Sequence, residues 1–388
     1  MMTMKWKKGV ALCLVALLCI ASFAACNNGG NGEVNGNGYE NGANGAEAPG
    51  LSELALDTVI LEIEGGSPVL WGEFYYDLQN VRQQIEFAGP LENWGIPFYP
   101  NPFGEEMDFN EFAIRVALET ALERRAVEAL FHSLDETLDP EVYEELRESY
   151  LANFGLDDEG FAELLADFHL TEDVFRFVTE IALKYEQAFN ALFGEGGVDT
   201  PQAEIDAFVE EEQILRAKHI LLAIYTEEDA IEEGVEGDID EWLAERNEQV
   251  RVQAYALYAE LMALSGEAQI ARFEEMLAAY GEDPGMLFNP DGYTFFPMVM
   301  VPQFSSATIG LANYEISAPA RSGFGYHIIL RLPVERDAVV MAGGNQQFLL
   351  SHMVAVTRME ETVEEMQEGI VYVAMPIFAQ IIPGEIFG

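Results

Sequence analysis

Five histidines are present among 388 residues, and two of them stand where a side chain could do chemistry. His219 lies inside the apolar run Leu215-Arg216-Ala217-Lys218-His219-Ile220-Leu221-Leu222, and His327 inside Tyr326-His327-Ile328-Ile329-Leu330-Arg331-Leu332. An imidazole in a buried strand is more often a satisfied core residue than a working one, and on residue type alone that reading wins two to one. His132, His169 and His352 stand alone in helical stretches with no acids or cysteines at ligand spacing, and read as structural or surface residues. HExxH, paired CxxC and EF-hand patterns are all missing, so no metal site and no cofactor is expected. There is likewise no GxSxG elbow and no cysteine nucleophile in the mature part.

The elements that must position these histidines divide the chain. Thr58–Ile63 and Pro68–Trp71 read as strands around the turn Glu64-Gly65-Gly66-Ser67. Helical periodicity follows from Gly72, broken by a Gly/Pro/Asn-rich loop over 89–104. It resumes over Phe109–Leu130, from Asp139-Pro140, over Asp157–Phe168, over Thr171–Phe193, and from Thr200-Pro201 to about Gln213. Next come the His219 strand, a long acidic helix over about 238–264, a second helix over 268–280, and turn residues over 281–297, which read as a loop. After the His327 strand, residues 343–367 read as helical, with Leu349, Met353, Val356, Val363 and Met366 on one face. Ile370–Val373 is a short apolar stretch able to pair with the N-terminal hairpin.

The context of the two histidines reverses the odds against them. Residues 216–222 resemble the first strand of the parvulin family of peptidyl-prolyl isomerases, R-A-x-H-I-L, and Phe324-Gly325-Tyr326-His327-Ile328-Ile329 its last, F-G-x-H-I-I. Between them, Tyr280-Gly281-Glu282-Asp283 is similar to the family's Y-S-x-D/C, Met300-Val301-Pro302-Gln303-Phe304 to M-V-x-x-F, and Glu315-Ile316-Ser317-Ala318-Pro319 to E-I-S-x-P. More loosely, the flanking helices resemble the chaperone portion of PrsA- and SurA-type foldases, into which a parvulin domain is inserted. The resemblance implies an α+β fold, with a mainly helical chaperone module and an inserted parvulin domain built as a small antiparallel sheet flanked by helices. It implies that His219 and His327 pair at the floor of the site and that Ser322 joins their network. Asp283 would face the substrate carbonyl, as a hydrogen-bond donor if its pKa is raised, and Met300 and Phe304 would line the proline pocket. The family's Gly-Gly-Asp-Leu-Gly loop is here Asn289-Pro290-Asp291-Gly292-Tyr293, so the wall supplied by Leu is missing or replaced. The basic loop that selects phosphorylated substrates in one branch is absent, and Glu227-Glu228-Asp229 lies near where it would be.

The N-terminus gives an address. Lys5, Lys7 and Lys8 precede an uncharged run to Ala25 and then Cys26, the pattern of a secretory signal. Phe23-Ala24-Ala25-Cys26 resembles the lipobox of bacterial lipoproteins, with Phe23 where Leu is preferred. Cys13 and Cys19 fall within the apolar run, so Cys26 would be the one cysteine left, and the resemblance makes it the lipidated residue. A permanent N-terminal membrane anchor is the competing reading. The expected organisation is a lipoprotein signal over 1–25, an Asn/Gly tether over 26–52, a helical chaperone module over 53–213, a parvulin domain over 214–334, and a C-terminal helix and strand over 335–388 completing the helical module. That places the protein, lipid-anchored, on the outer face of a cytoplasmic membrane.

Composition narrows the function. Asp and Glu number 68 against 19 Lys and Arg, a formal charge of −49, which disfavours DNA, RNA and anionic lipid surfaces. With 49% apolar residues the chain is too rich for an acidic disordered tail. The expected partners are unfolded or newly exported polypeptides with X–Pro bonds; self-association of the helical module into a homodimer stays open. Two other readings compete with isomerase-plus-chaperone: a holdase whose parvulin module is inactive, and a solute-binding lipoprotein. The last would need two lobes of alternating strands and helices.

Overall fold

The computed structural model describes residues 54–88, 94–98, 101–168, 170–343 and 346–387. The expected signal segment, Cys26, the tether and His169 lie outside them. The chain divides into two compact units, one formed by Phe193–Val356 and the other by the residues on both sides of it.

The first unit opens with β1 (Val59–Ile63) and β2 (Val69–Leu70), an antiparallel hairpin as expected. Helix α1 (Trp71–Ala88) buries Trp71, Phe74, Tyr75 and Leu78, spaced three and four apart so that they share one face. Against it lies α2 (Phe109–Ser133), started by a capping box in which Asp108 and Glu111 satisfy each other's backbone N–H groups. Ala113, Ala117 and Ala121 recur every fourth residue on α2 and are fully buried in the same core. Helix α3 (Pro140–Phe154) is capped by Asp139 with Pro140 in its first turn, and ends at Gly155 in the left-handed conformation. Helices α4 (Asp158–Asp167) and α5 (Glu172–Phe193) follow, and an aromatic cluster of Tyr143, Phe161 and Phe175 joins the three.

Charges are also buried in this unit. Arg124 and Arg125 of α2 meet Glu73 and Asp77 of α1, all four side chains being 3% exposed. Arg125 Nη1 donates to Glu73 at 2.7 Å and Arg124 Nη1 to Asp77 at 2.8 Å. Arg125 reaches on to the carbonyls of Ser67 and Pro68 in the β1–β2 turn. Burial pushes the Asp77 carboxyl up to about 6 despite the opposing pull of Arg124.

The second unit begins with α6 (Gln202–Glu211) and centres on the antiparallel pair β3 (Leu215–Ala223) and β6 (Gly325–Leu332). Between them lie α7 (Glu227–Glu232), α8 (Ile239–Met262), α9 (Glu267–Tyr280), α10 (Gly285–Phe288), β4 (Tyr293–Phe295), α11 (Pro302–Ile309) and β5 (Ala320–Arg321). β7 (Val339–Gly343) and β8 (Gln346–Leu349) complete a six-stranded sheet of order β5-β6-β3-β4-β7-β8. Every neighbouring pair is antiparallel except β4–β7. The alternation of side chains along β3 and β6 sorts two cores. Ile220, Leu222, Ile328 and Leu330 face α8 and α9, while Leu215, Ala217 and Ile329 face Phe295 and Phe304. His219 pairs with Ile329 in the ladder and His327 with Leu221, so both histidines point to this second side.

Two sequence expectations are corrected here. The 281–297 segment holds the short helix α10 and strand β4, because β4 pairs with Leu215–Ala217. Val339–Gly343 and Gln346–Leu349 pair with each other as β7 and β8, β7 also pairs with β4, and the helix starts only at Leu350. The unit is also wider than the motif-bearing segment 214–334, since Ile205 and Phe208 of α6 share a core with Phe296, Val340, Leu350 and Val354.

Helix α12 (Leu350–Glu368) leads back to the first unit, where β9 (Tyr372–Ala374) pairs antiparallel with β1 as expected. Helix α13 (Pro383–Phe387) follows, and Ile377, Phe378, Ile381, Ile386 and Phe387 close the α1–α2 core. No helix among the described residues is long and apolar enough to cross a membrane.

Candidate active site

The two histidines are brought together from strands 108 residues apart. Their Nδ1 atoms lie 3.1 Å from each other and the rings stack with centroids 5.1 Å apart. His219 Nε2 is 2.7 Å from Oδ2 of Asp283, which stands three residues beyond α9. Ser322 Oγ is 2.7 Å from His327 Nε2, and the backbone N–H of Phe324 donates to that same Oγ at 3.0 Å. Four of the expected residues, His219, Asp283, His327 and Ser322, thus form one connected chain.

Asp283 is held opposite to the state expected of a donor. Its carboxyl is lowered to about 2, chiefly by the His219 hydrogen bond, with help from Tyr293 and the Gly285 N–H against the cost of burial. An ionised carboxylate only accepts, so His219 donates from Nε2. In the tautomer with its proton on Nε2, His219 accepts at Nδ1 from His327 Nδ1–H. His327 in turn accepts at Nε2 from the Ser322 hydroxyl. Burial, and then the proximity of His219, lower the His327 pKa to about 4, so this ring is neutral near pH 7. Every donor from Phe324 to Asp283 points the same way, and the chain ends on the carboxylate.

Phe304 stands with its ring edge-on to both imidazoles, 5.0 Å from His219 and 5.6 Å from His327 by centroid. It is buried, and Met300 is half-buried against the same cluster. These two make an apolar wall beside a polar floor. The other motif residues have scaffold duties. Arg216 clamps the 289–292 loop by donating to the Asp291 carbonyl at 2.9 and 3.1 Å. Ser317 exchanges two hydrogen bonds with the Ile329 backbone, fixing β6 from its outer side. Gly325 has φ +150, and a Cβ there would lie 2.1 Å from the Leu222 carbonyl, which explains the glycine in F-G-x-H.

One site residue escaped the sequence reading. Tyr293 was grouped with the loop that departs from the family pattern, yet its hydroxyl donates to Asp283 Oδ2 at 2.8 Å. The departure itself was the one available signal. Elsewhere, His132 lies in α2 and His352 in α12, both away from this chain of hydrogen bonds. Among the described residues no group of three or more His, Cys, Asp or Glu could hold a metal ion.

Comparison with known proteins agrees with this geometry. The family model described as Rotamase, a PPIC-type PPIASE domain, matches residues 219–332, from the first paired histidine to the end of β6. No curated protein matches the chain. Among solved structures, PrsA from Bacillus subtilis is 15% identical, with 71% of this chain and 92% of that one covered at a TM-score of 0.23. Peptidylprolyl isomerase PrsA from Bacillus cereus is 17% identical, covering 71% and 86% at 0.26. A SurA-like chaperone structure from Campylobacter jejuni is 21% identical, covering 60% and 81% at 0.24. At such TM-scores these likenesses stay descriptive, and the domain's identity rests on the family model and the motifs it spans. Residues 219–332 of this chain are a PPIC-type peptidyl-prolyl isomerase domain, of the parvulin type.

Proposed function

We propose that the chain is an exported foldase, a peptidyl-prolyl cis-trans isomerase acting on unfolded polypeptides that its flanking helical segments hold. The observation that carries this reading is the coincidence of the PPIC-type match with the His219–His327–Asp283–Ser322 chain under the apolar side chains of Phe304 and Met300. The pattern from Lys5 to Cys26 supports export, with lipid on Cys26 fixing the protein to the outer face of the cytoplasmic membrane.

The chemistry needs no nucleophile, because no bond is broken. Rotation about an X–Pro bond faces a barrier of about 18–20 kcal/mol and takes tens to hundreds of seconds uncatalysed. The barrier is amide resonance, which puts negative charge on the carbonyl oxygen and positive charge on nitrogen. Twisting removes that separation. A proline ring against Phe304 and Met300 sits in surroundings that disfavour the charge-separated planar form. The Asp283 anion adds to this, since a carbonyl turned toward it meets like charge while planar and less when twisted. Binding the twisted state more tightly than the planar one is the whole of the catalysis, at about tenfold in rate per 1.36 kcal/mol. His219, His327 and Ser322 form a rigid floor that aims the carboxylate.

The test is cis-to-trans isomerisation of proline tetrapeptides by wild type, Asp283→Ala and His219→Ala, with folding checked by circular dichroism. The expected outcome is a catalysed rate that drops about 10–100-fold in both folded variants, or about 1.4–2.7 kcal/mol. Absence of acceleration by wild type across a range of residues before proline would shift the reading to a holdase.

A further inference from the structure

We infer that Tyr293 is a positioning residue of the isomerase site: its hydroxyl, seated over Gly285, holds the Asp283 carboxylate in register with the His219 ring.

The strand register brings it there. Tyr293 is the ladder partner of Ala217, two residues before His219, so its side chain leaves the sheet on the same side as the imidazole. The two rings lie 6.1 Å apart by centroid, and a one-residue slip of β4 would turn the phenol to the opposite face. Gly292, at φ +97, carries the chain so close over β3 that a Cβ would stand 2.9 Å from the Ala217 carbonyl. Gly285 makes the second space, for a Cβ on it would fall 1.8 Å from the Tyr293 hydroxyl oxygen. Two glycines therefore clear the path, one for the tyrosine's backbone and one for its hydroxyl.

The acceptor is what separates this arrangement from a core tyrosine that needs any partner. Tyr293 donates to Oδ2, the same oxygen that takes the His219 N–H, while the Gly285 N–H takes Oδ1 at 3.0 Å. Three donors from three directions fix both the position and the rotation of the carboxylate. Burial and the facing carboxylate push the phenol's pKa up, so the hydroxyl stays a donor wherever the protein is folded. Without it, Asp283 keeps the His219 N–H on Oδ2 and the Gly285 N–H on Oδ1, and one of the three constraints on its rotation is gone.

The rate measurement below rests on the isomerase reading; the contact does not. Wild type, Tyr293→Phe, Gly285→Ala and the double variant are compared in tetrapeptide isomerisation from pH 5 to 8, each with its melting temperature. Tyr293→Phe is expected to lose about tenfold in kcat/KM, mainly in kcat, with melting within a few degrees of wild type. That loss should hold across the whole pH range, because the carboxyl, lowered to about 2 and still bonded to His219 and Gly285, stays ionised throughout it. Gly285→Ala should fall as far, by displacing the hydroxyl. The double variant should be no worse than Tyr293→Phe, since the phenyl ring leaves the methyl more room. Losses that multiply, or rates that simply follow melting temperature, overturn the positioning role. If wild type itself does not catalyse, the histidine 15N spectrum decides, as only five histidines contribute to it. His219 signals displaced in Tyr293→Phe then support the inference, and an unchanged His219 overturns it.

Discussion

At the scale of single residues, the site is defined by where its protons sit. A buried histidine whose pKa drops from 6.5 to about 4 is neutral in the fold but protonated in the unfolded chain between those values. The unfolded state then binds more protons, so stability must fall as pH drops through that window and be complete above it. For His327 the whole effect is roughly 3 kcal/mol. Asp283, lowered to about 2, adds a loss of the same sign only below about pH 4. Asp77, pushed up to about 6, acts in the opposite sense on the first unit, so the urea transition of the second unit is the one expected at a markedly lower midpoint at pH 5 than at pH 7, and His327→Asn should remove most of that difference. The resemblance carried by the five motifs named His219, Asp283 and His327, and Ser322 between the last two motifs, as one cluster, and the structure brings these four side chains together. The direction of their hydrogen bonds was not legible in the sequence, because Asp283's state depends first on His219, and then on the Tyr293 hydroxyl and the Gly285 N–H, groups that only the folded chain brings to it.

Elements were legible where one segment carries its own signal. The Asp139-Pro140 start and the helix over Phe109–Leu130 follow from local chemistry, and the structure has both, the second opened by the capping box at Asp108. β4 is three residues long and owes its strand character to β3, where Leu215 pairs with Phe295, while β8, four residues long, owes its own to the neighbouring β7. Nothing within Gln346–Leu349 distinguishes an edge strand from the first turn of the helix it precedes. The α1–α2 contact makes a prediction of its own. Arg124 and Arg125 balance Glu73 and Asp77 in a water-free setting, and deleting one cation strands a carboxylate. Arg124→Met should cost about 3–5 kcal/mol in urea unfolding of the first unit. Pairing it with Asp77→Leu and Glu73→Gln should recover much of that loss, which would show that the cost lies in the stranded charge.

For the molecule as a whole, a charge of −49 opposes compaction and selects partners by sign. Screening shortens to about 10 Å at 0.1 M salt and 3 Å at 1 M. Raising NaCl from 50 to 500 mM should therefore raise the melting temperature while weakening the binding of lysine-rich unfolded clients. Equal client affinity at the two salt concentrations would remove electrostatics from client choice.

The order of the elements along the chain adds a matter of timing. β1 ends at Ile63, and its neighbour β9 begins at Tyr372, with the isomerase unit lying between them. At a synthesis rate of about 5–20 residues per second, roughly 15–60 seconds separate the making of the first strand from that of its last partner. The isomerase unit, whose strands all fall within 215–349, is complete before that. Wherever the chain is delivered N-terminus first, the segment of the isomerase unit is thus complete while β1 still lacks β9, and the outer sheet is the last to close.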